Sequence, residues 1–381
     1  MSSGLVRSAR RWSDAVFREP RGEAGARILL GVLPGEGIGP EVISAALVVL
    51  AALESPDGPV FEIRTGGAIG RDAEVLTGRA LSDDVGAFCE DVFADGGAIL
   101  AGPGGGRFVY ELRRRFDLFC KVSPLQPFEP LLGAGRLKTG AVEGTDILIV
   151  RENVGGVYQG EWRDVSDESG GRVCEHSFRY SEPQVRRLLD VAAKLAAGRR
   201  GKLAVVIKES GIPSVSALWR DVGREAAARA RVEVGFVDID LAAYRLLQEP
   251  LAFDVIATSN LFGDVLADLG AVLLSSRGVS FSGNFSAAGA AVYQTNHGSA
   301  LDLVRQDRAN PIGQICALAM MLRESFGLLR DAAWIEAAIA EVLRLGFRTF
   351  DVAEPGTTLV GTAEMGERIA GAVRRLARPA E

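Results

Sequence analysis

Short runs of consecutive apolar residues recur along this 381-residue chain, and a longer segment of helical periodicity follows most of them. That alternation restricts the fold more than any single motif. The runs lie at residues 26–33, 97–102, 146–150, 202–208, 234–238 and 253–258. They lack polar alternation, so each reads as a strand buried on both faces, as in a parallel sheet covered by helices. Helical periodicity at residues 42–53, 82–93, 111–119, 184–197 and 216–228 supplies the covering layers. The class is therefore α/β. No solenoid repeat interrupts the pattern, and no linker marks a domain boundary. With 48% hydrophobic residues the chain can build a large core or two to three domains.

Residues 1–26 stand apart. They are rich in Arg, Ser, Gly and Glu and lack the apolar core of a signal peptide, so they are expected to form an N-terminal extension without fixed structure. No apolar run of about twenty residues is present, which excludes a helical membrane span. A balance of 43 basic against 49 acidic residues, net −6 without a long basic run, argues against nucleic acid as the main partner. Four scattered cysteines suit a reducing compartment, here taken as the cytoplasm. Two histidines are too few for a histidine-built zinc site.

Several polar residues fall at the ends of the apolar runs, where ligands bind in open α/β sheets. Asp264 and Asp268 follow the run at 253–258 at a spacing of four, which places both carboxylates on one helix face, either as a solvated face with two unrelated aspartates or with a cation beside them. Arg151 and Tyr158 follow the run at 146–150, a combination suited to anion binding and proton transfer, or to a hairpin corner. Lys208 ends the run at 202–208, either as an ordinary exposed strand end or partly desolvated, which would lower its pKa and suit it to act as a base. Glycines 35, 37 and 39 connect the first strand to a helix, as a ligand loop or a tight turn. Of Arg113, Arg114 and Arg115, one at most can face a ligand while its neighbours reach solvent.

In order, the motifs are Leu33-Pro34-Gly35-Glu36-Gly37-Ile38-Gly39-Pro40-Glu41, Leu148-Ile149-Val150-Arg151-Glu152-Asn153, Gly155-Gly156-Val157-Tyr158, Phe262-Gly263-Asp264-Val265-Leu266-Ala267-Asp268, His297-Gly298-Ser299-Ala300 and Gly361-Thr362-Ala363-Glu364-Met365-Gly366. In these the chain resembles the β-decarboxylating dehydrogenases, the family of isopropylmalate, isocitrate, homoisocitrate and tartrate dehydrogenases, as a divergent member. The resemblance implies two α/β domains with the active site in the cleft between them. A large nucleotide-binding domain would comprise 27–118 and 275–381, and a small central domain, 119–274, would carry the interface of a homodimer. It further implies Mg²⁺ or Mn²⁺ held by Asp264 and Asp268 of one subunit and Asp238 of the other, with Lys208 and Tyr158 as proton carriers. Arg113 and Arg151 would grip the substrate, and NAD would lie against His297, Gly298, Ser299, Ala300, Asp302 and Asn310. The acidic Asp302 favours NAD⁺ over NADP⁺.

Where the family usually has a second substrate arginine, this chain has Ser123, so Lys121 or Arg107 is left to compensate, or the substrate differs. Arg107 stands in the specificity segment and reads equally well as a surface residue. The expected reaction is NAD-dependent oxidative decarboxylation of a 3-substituted malate. The alternatives are a tartrate- or malate-type dehydrogenase and a noncatalytic regulatory subunit.

Overall fold

The computed structural model describes residues 11–17, 27–55 and 58–377. Among the described residues, twelve strands of four or more residues organise it: β1 Arg27–Leu33, β2 Val60–Thr65, β3 Ala98–Ala101, β4 Cys120–Leu125, β5 Ile147–Glu152, β6 Glu161–Ser166, β7 Arg172–Ser177, β8 Lys202–Ile207, β9 Glu233–Asp238, β10 Val255–Thr258, β11 Phe281–Phe285 and β12 Ala291–Thr295. Ten of them form one sheet in the order β2-β1-β3-β12-β11-β4-β5-β10-β8-β9. The first four in that order are mutually parallel, and so are the last four. β11 and β4 join the two blocks through antiparallel pairings.

The apolar runs lie where their patterns require. β3, β5 and β10 are buried at every position, and the helix Ile312–Phe326 is buried along its whole length. Strands drawn from residues 27–101 and 281–295 make one side of the sheet, and those from 120–258 make the other. β4 has no counterpart among the apolar runs because it contains Lys121, Ser123 and Pro124, yet it too is buried throughout. The helix expected at 111–119 is instead Phe108–Arg115, since Asp117 takes a left-handed conformation (φ 45°) and turns the chain into β4. β6 and β7 form a separate, almost fully exposed hairpin. Among the described residues, no helix is long and apolar enough to cross a membrane.

The expectation that residues 1–26 lack fixed structure fails for 11–17. Trp12–Ala15 forms a 3₁₀ turn, and Trp12, Val16 and Phe17 join the main core. Ser13 N donates to Glu324 Oε2 (3.0 Å) and Ser13 Oγ to Glu324 O (2.8 Å). The Arg323 guanidinium lies 5.1 Å from the Trp12 ring centroid while pairing with Glu324 and Glu336. An apolar set of three residues among arginines is too short to register as a periodic element, but it covers a buried charge network. Residues 1–10 and 18–26 lie outside the described residues.

Trp12→Ala removes this cover and is expected to destabilise the protein by about 3 kcal/mol. The thermal unfolding midpoint reads the effect; a midpoint equal to wild type would show that the segment is only loosely attached.

Candidate active site

Arg151 is the penultimate residue of β5, and β10 ends just before the helix Asn260–Gly270 that carries Asp264 and Asp268. Arg151 passes under that helix at Gly263, where a methyl group would stand 2.7 Å from Arg151 Cγ. Asn260 Oδ1 accepts from Arg151 Nε (3.1 Å) and Nη2 (2.8 Å), and Asn260 Nδ2 donates to Gly155 O (2.9 Å). The guanidinium, 2% exposed, is thereby aimed at Asp264, with which it forms an ion pair.

Tyr158 OH donates to the other Asp264 oxygen, Oδ2 (3.0 Å). Burial, and then the Asp264 charge, pushes the Tyr158 hydroxyl up to about 12, so it stays protonated at neutral pH. Burial opposes ionisation of Asp264, but Arg151, Lys121 and the Tyr158 hydrogen bond outweigh it and hold the carboxyl below its usual range. Arg113 reaches the same region from the end of its helix, and it is buried with Nε unpartnered. Burial and the neighbouring Arg151 lower its pKa to about 9, which leaves it cationic at neutral pH.

Arg107 belongs to this cluster. Its Nη2 donates to Tyr158 O (3.2 Å), and its guanidinium lies 5.1 Å from the Tyr110 ring and 4.8 Å from the Trp162 ring. Ser123 is buried on β4 and contributes no charge, whereas Lys121, two residues earlier, is buried beside Arg113 and Arg151. Asp268 is half-exposed and pairs with Arg277 (3.0 Å).

Lys208 and Asp238 form a separate group. Lys208 Nζ donates to Asp240 Oδ1 (2.7 Å) and Asp238 Oδ2 (3.2 Å), and these hydrogen bonds raise its pKa. This reverses the expected lowering, because two carboxylates rather than an apolar wall face the ammonium. Lys208 borders a mainly apolar cavity of about 280 Å³ shared with Tyr180, Trp219 and Phe262. Among the described residues of one chain, no three His, Cys, Asp or Glu side chains converge to hold a metal ion. Asp264 and Asp268 offer hard oxygen donors suited to Mg²⁺ or Mn²⁺, but only two of them.

Away from this cluster, the glycine loop after β1 packs on the loop after β12. Gly35 and Gly37 have φ of 85° and 63°, Ile38 N donates to Ser299 O (3.0 Å), and the Glu36 carboxylate accepts from Ser299 Oγ (2.5 Å) and Arg71 N (2.6 Å). His297 Nδ1 donates to Gly298 O (2.9 Å), and Nε2 is buried without a partner. Burial keeps this imidazole below its usual pKa, so the neutral ring offers Nε2 as an acceptor. Gly298 is exposed, Ala300 takes a left-handed conformation (φ 41°), and Asp302 is exposed on the turn Leu301–Leu303. Asn310 is buried and donates to Asp351 (3.1 Å). An unpartnered nitrogen beside a glycine loop at a helix start fits a dinucleotide.

Sequence reasoning overlooked the roles of Asn260, Glu36 and Glu152. Each is a polar residue next to an apolar run within a motif, which was the available signal. Glu152 accepts from Val154 N (3.0 Å) and Gly155 N (2.8 Å) and so braces the loop that leads to Tyr158.

The family model described as isocitrate/isopropylmalate dehydrogenase matches residues 29–369. A 3-isopropylmalate dehydrogenase of Carboxydothermus hydrogenoformans is 37% identical, over 89% of this chain and 93% of that protein. One from Aquifex aeolicus is 35% identical, over 91% and 97%. Among solved structures, an isocitrate dehydrogenase from Methylococcus capsulatus superposes with a TM-score of 0.81 at 30% identity, covering 91% of this chain and 99% of that one.

Burial raises the Glu152 carboxyl to about 7 against the pull of its backbone donors, while an unfolded glutamate titrates at about 4.3. The protonated form therefore favours the fold. Its contribution is complete below the unfolded value and is lost as pH rises through about 7. Glu152→Gln cannot titrate, so its melting temperature is expected to gain on wild type between about pH 4.5 and 7.5; a difference that stays constant with pH would contradict this.

Proposed function

The chain belongs to the isocitrate/isopropylmalate dehydrogenase family of oxidoreductases, and from that premise we propose that it oxidatively decarboxylates a 3-substituted malate with NAD⁺ and Mg²⁺ or Mn²⁺. The observation that carries this reading is the cluster of Arg113, Lys121 and Arg151 around the Tyr158–Asp264 hydrogen bond. Buried cations recruit the carboxylates of a diacid, and a protonated phenol stands beside them.

The working unit in this reading is a homodimer with shared sites. Asp264 and Asp268 would need the Asp238 of a second copy to complete a three-carboxylate metal site, and Lys208 would come with it. The exposed β6–β7 hairpin and exposed Leu241, Tyr244 and Val265 offer surface for that contact. Residues 27–118 with 275–381 would form the nucleotide-binding domain, and 119–274 the central domain. Cys89, Cys120 and Cys174 carry free thiols, which suits the cytoplasm.

Arg113 and Arg151 would hold substrate carboxylates and fix the reacting carbon. A bound Mg²⁺ or Mn²⁺ would supply Lewis-acid stabilisation of charge on the substrate oxygen. NAD⁺ would supply the hydride acceptor. Lys208 of the second subunit, in its neutral amine form, would accept the hydroxyl proton. Tyr158 OH would return a proton at the carbon that loses CO₂. His297 Nε2 and Asn310 would bind the nucleotide, and Asp302 would receive the adenosine ribose hydroxyls and repel a 2′-phosphate.

The test is NADH formation by purified protein with Mn²⁺ and NAD⁺ on a panel of 3-substituted malates, D-malate and tartrate. Turnover of a 3-substituted malate is expected, with kcat lowered at least about 100-fold in Lys208→Ala. Absence of NADH across the panel, or full activity in Lys208→Ala, would overturn the reading.

A further inference from the structure

We infer that Lys121 is a substrate-binding residue that receives a carboxylate of the diacid and helps set which diacids are accepted. The inference rests on the diacid reading above and adds a residue to it. On β4, Lys121 lies directly opposite Arg151 of β5 on one side and Asn284 of β11 on the other, so the three side chains share one face of the sheet. Of the charged groups around it, Arg113 acts on it most strongly, followed by Arg151, Asp264 and Asp268.

What sets this lysine apart is the lack of an acceptor. It is 4% exposed, and among the described residues no hydrogen bond or ion pair ends on its ammonium. The nearby acceptors are engaged elsewhere: Asp264 with Arg151 and Tyr158, Asp268 with Arg277, and Asn284 Oδ1 with Asn153 Nδ2 (2.9 Å). Arg113 Nε is likewise buried without a partner. A buried cation without an acceptor, under the influence of two guanidinium groups, opposes folding. Burial and the two arginines push its pKa well below the ordinary lysine value, in keeping with a site that lacks an anion. A carboxylate of the ligand supplies the acceptor that Lys121 and Arg113 both lack.

Ser123 makes this assignment specific. It is buried two residues farther along the same strand and on the same face, and it brings neither charge nor bulk. The positive charge of β4 is therefore displaced by about 7 Å along the strand from that position. Lysine also presents its donors from a single point, unlike the planar fork of arginine, and so binds a carboxylate without imposing a bidentate angle. The ligand class is a 2-hydroxy diacid whose second carboxylate reaches Lys121 and Arg113 while the first lies at Arg151.

The probe is D-malate, titrated calorimetrically into full-length protein with Mn²⁺, with NAD⁺ affinity and the ligand-free melting temperature as controls. Lys121→Met is expected to weaken D-malate binding about ten- to a hundredfold, to leave NAD⁺ binding unchanged and to keep or raise the melting temperature. Lys121→Arg is expected to retain binding within about tenfold. If K121M does not fold, K121Q carries the same expectation.

D-malate affinity in K121M equal to wild type would overturn the inference, as would parallel loss of D-malate and NAD⁺ binding with a lower melting temperature. Wild-type protein that does not bind D-malate would overturn it as well. Lys121-dependent binding in a protein that turns over nothing would sustain this assignment while removing the catalytic reading.

Discussion

Burial of positive charge is the constraint on which the site depends. Arg113, Lys121 and Arg151 are each at most 4% exposed, and one carboxylate, Asp264, takes an ion pair from the group while Asp268 is engaged by Arg277. Buried charges without full compensation cost several kcal/mol each, so the arrangement makes physical sense as a receptor whose counter-charge arrives with the ligand. Much of the surrounding structure maintains it. Asn260 fixes the Arg151 guanidinium, Gly263 gives it room, and Glu152 braces the loop that leads to Tyr158.

The sheet explains why these groups meet. Two parallel blocks run in opposite directions and are joined by the antiparallel strands β11 and β4, so the start of β4 lies beside the end of β5. That register sets Lys121 opposite Arg151. Farther along the same side, the loop after β3 touches Glu36 of the glycine loop through Pro103 O and carries Arg107 to Tyr158 O. The glycine loop and the cationic cluster are thus linked through the loop after β3. Lys208 and Asp238 stand outside this chain of contacts, held to each other at 3.2 Å. Among the described residues of one chain Asp238 does not converge with Asp264 and Asp268; in the proposed homodimer a second copy would supply it.

Strands buried on both faces were legible because their apolar runs are continuous, as in β5, β8 and β10. The same rule hid β4, where the site itself replaces apolar residues with Lys121 and Ser123. Asp264, Arg151 and Tyr158 were legible as polar residues at strand ends. Asn260 was not, because its role depends on Arg151, more than a hundred residues away in the chain, passing beneath its helix. The sign of the Lys208 shift was misjudged for a related reason, since Asp240 approaches from the helix that follows β9. Trp12, Val16 and Phe17 showed no periodicity, yet their contacts with the Arg323–Glu324 pair give that short segment a place in the core.

In the proposed reading a diacid completes a buried cationic site which a second subunit closes. A crystal structure of the protein with Mn²⁺ and D-malate tests this. The ion is expected between Asp264 and Asp268 of one subunit and Asp238 of the other, with malate carboxylates on Arg113, Lys121 and Arg151. Malate bound away from those three cations, or an ion ligated wholly within one chain, would contradict it.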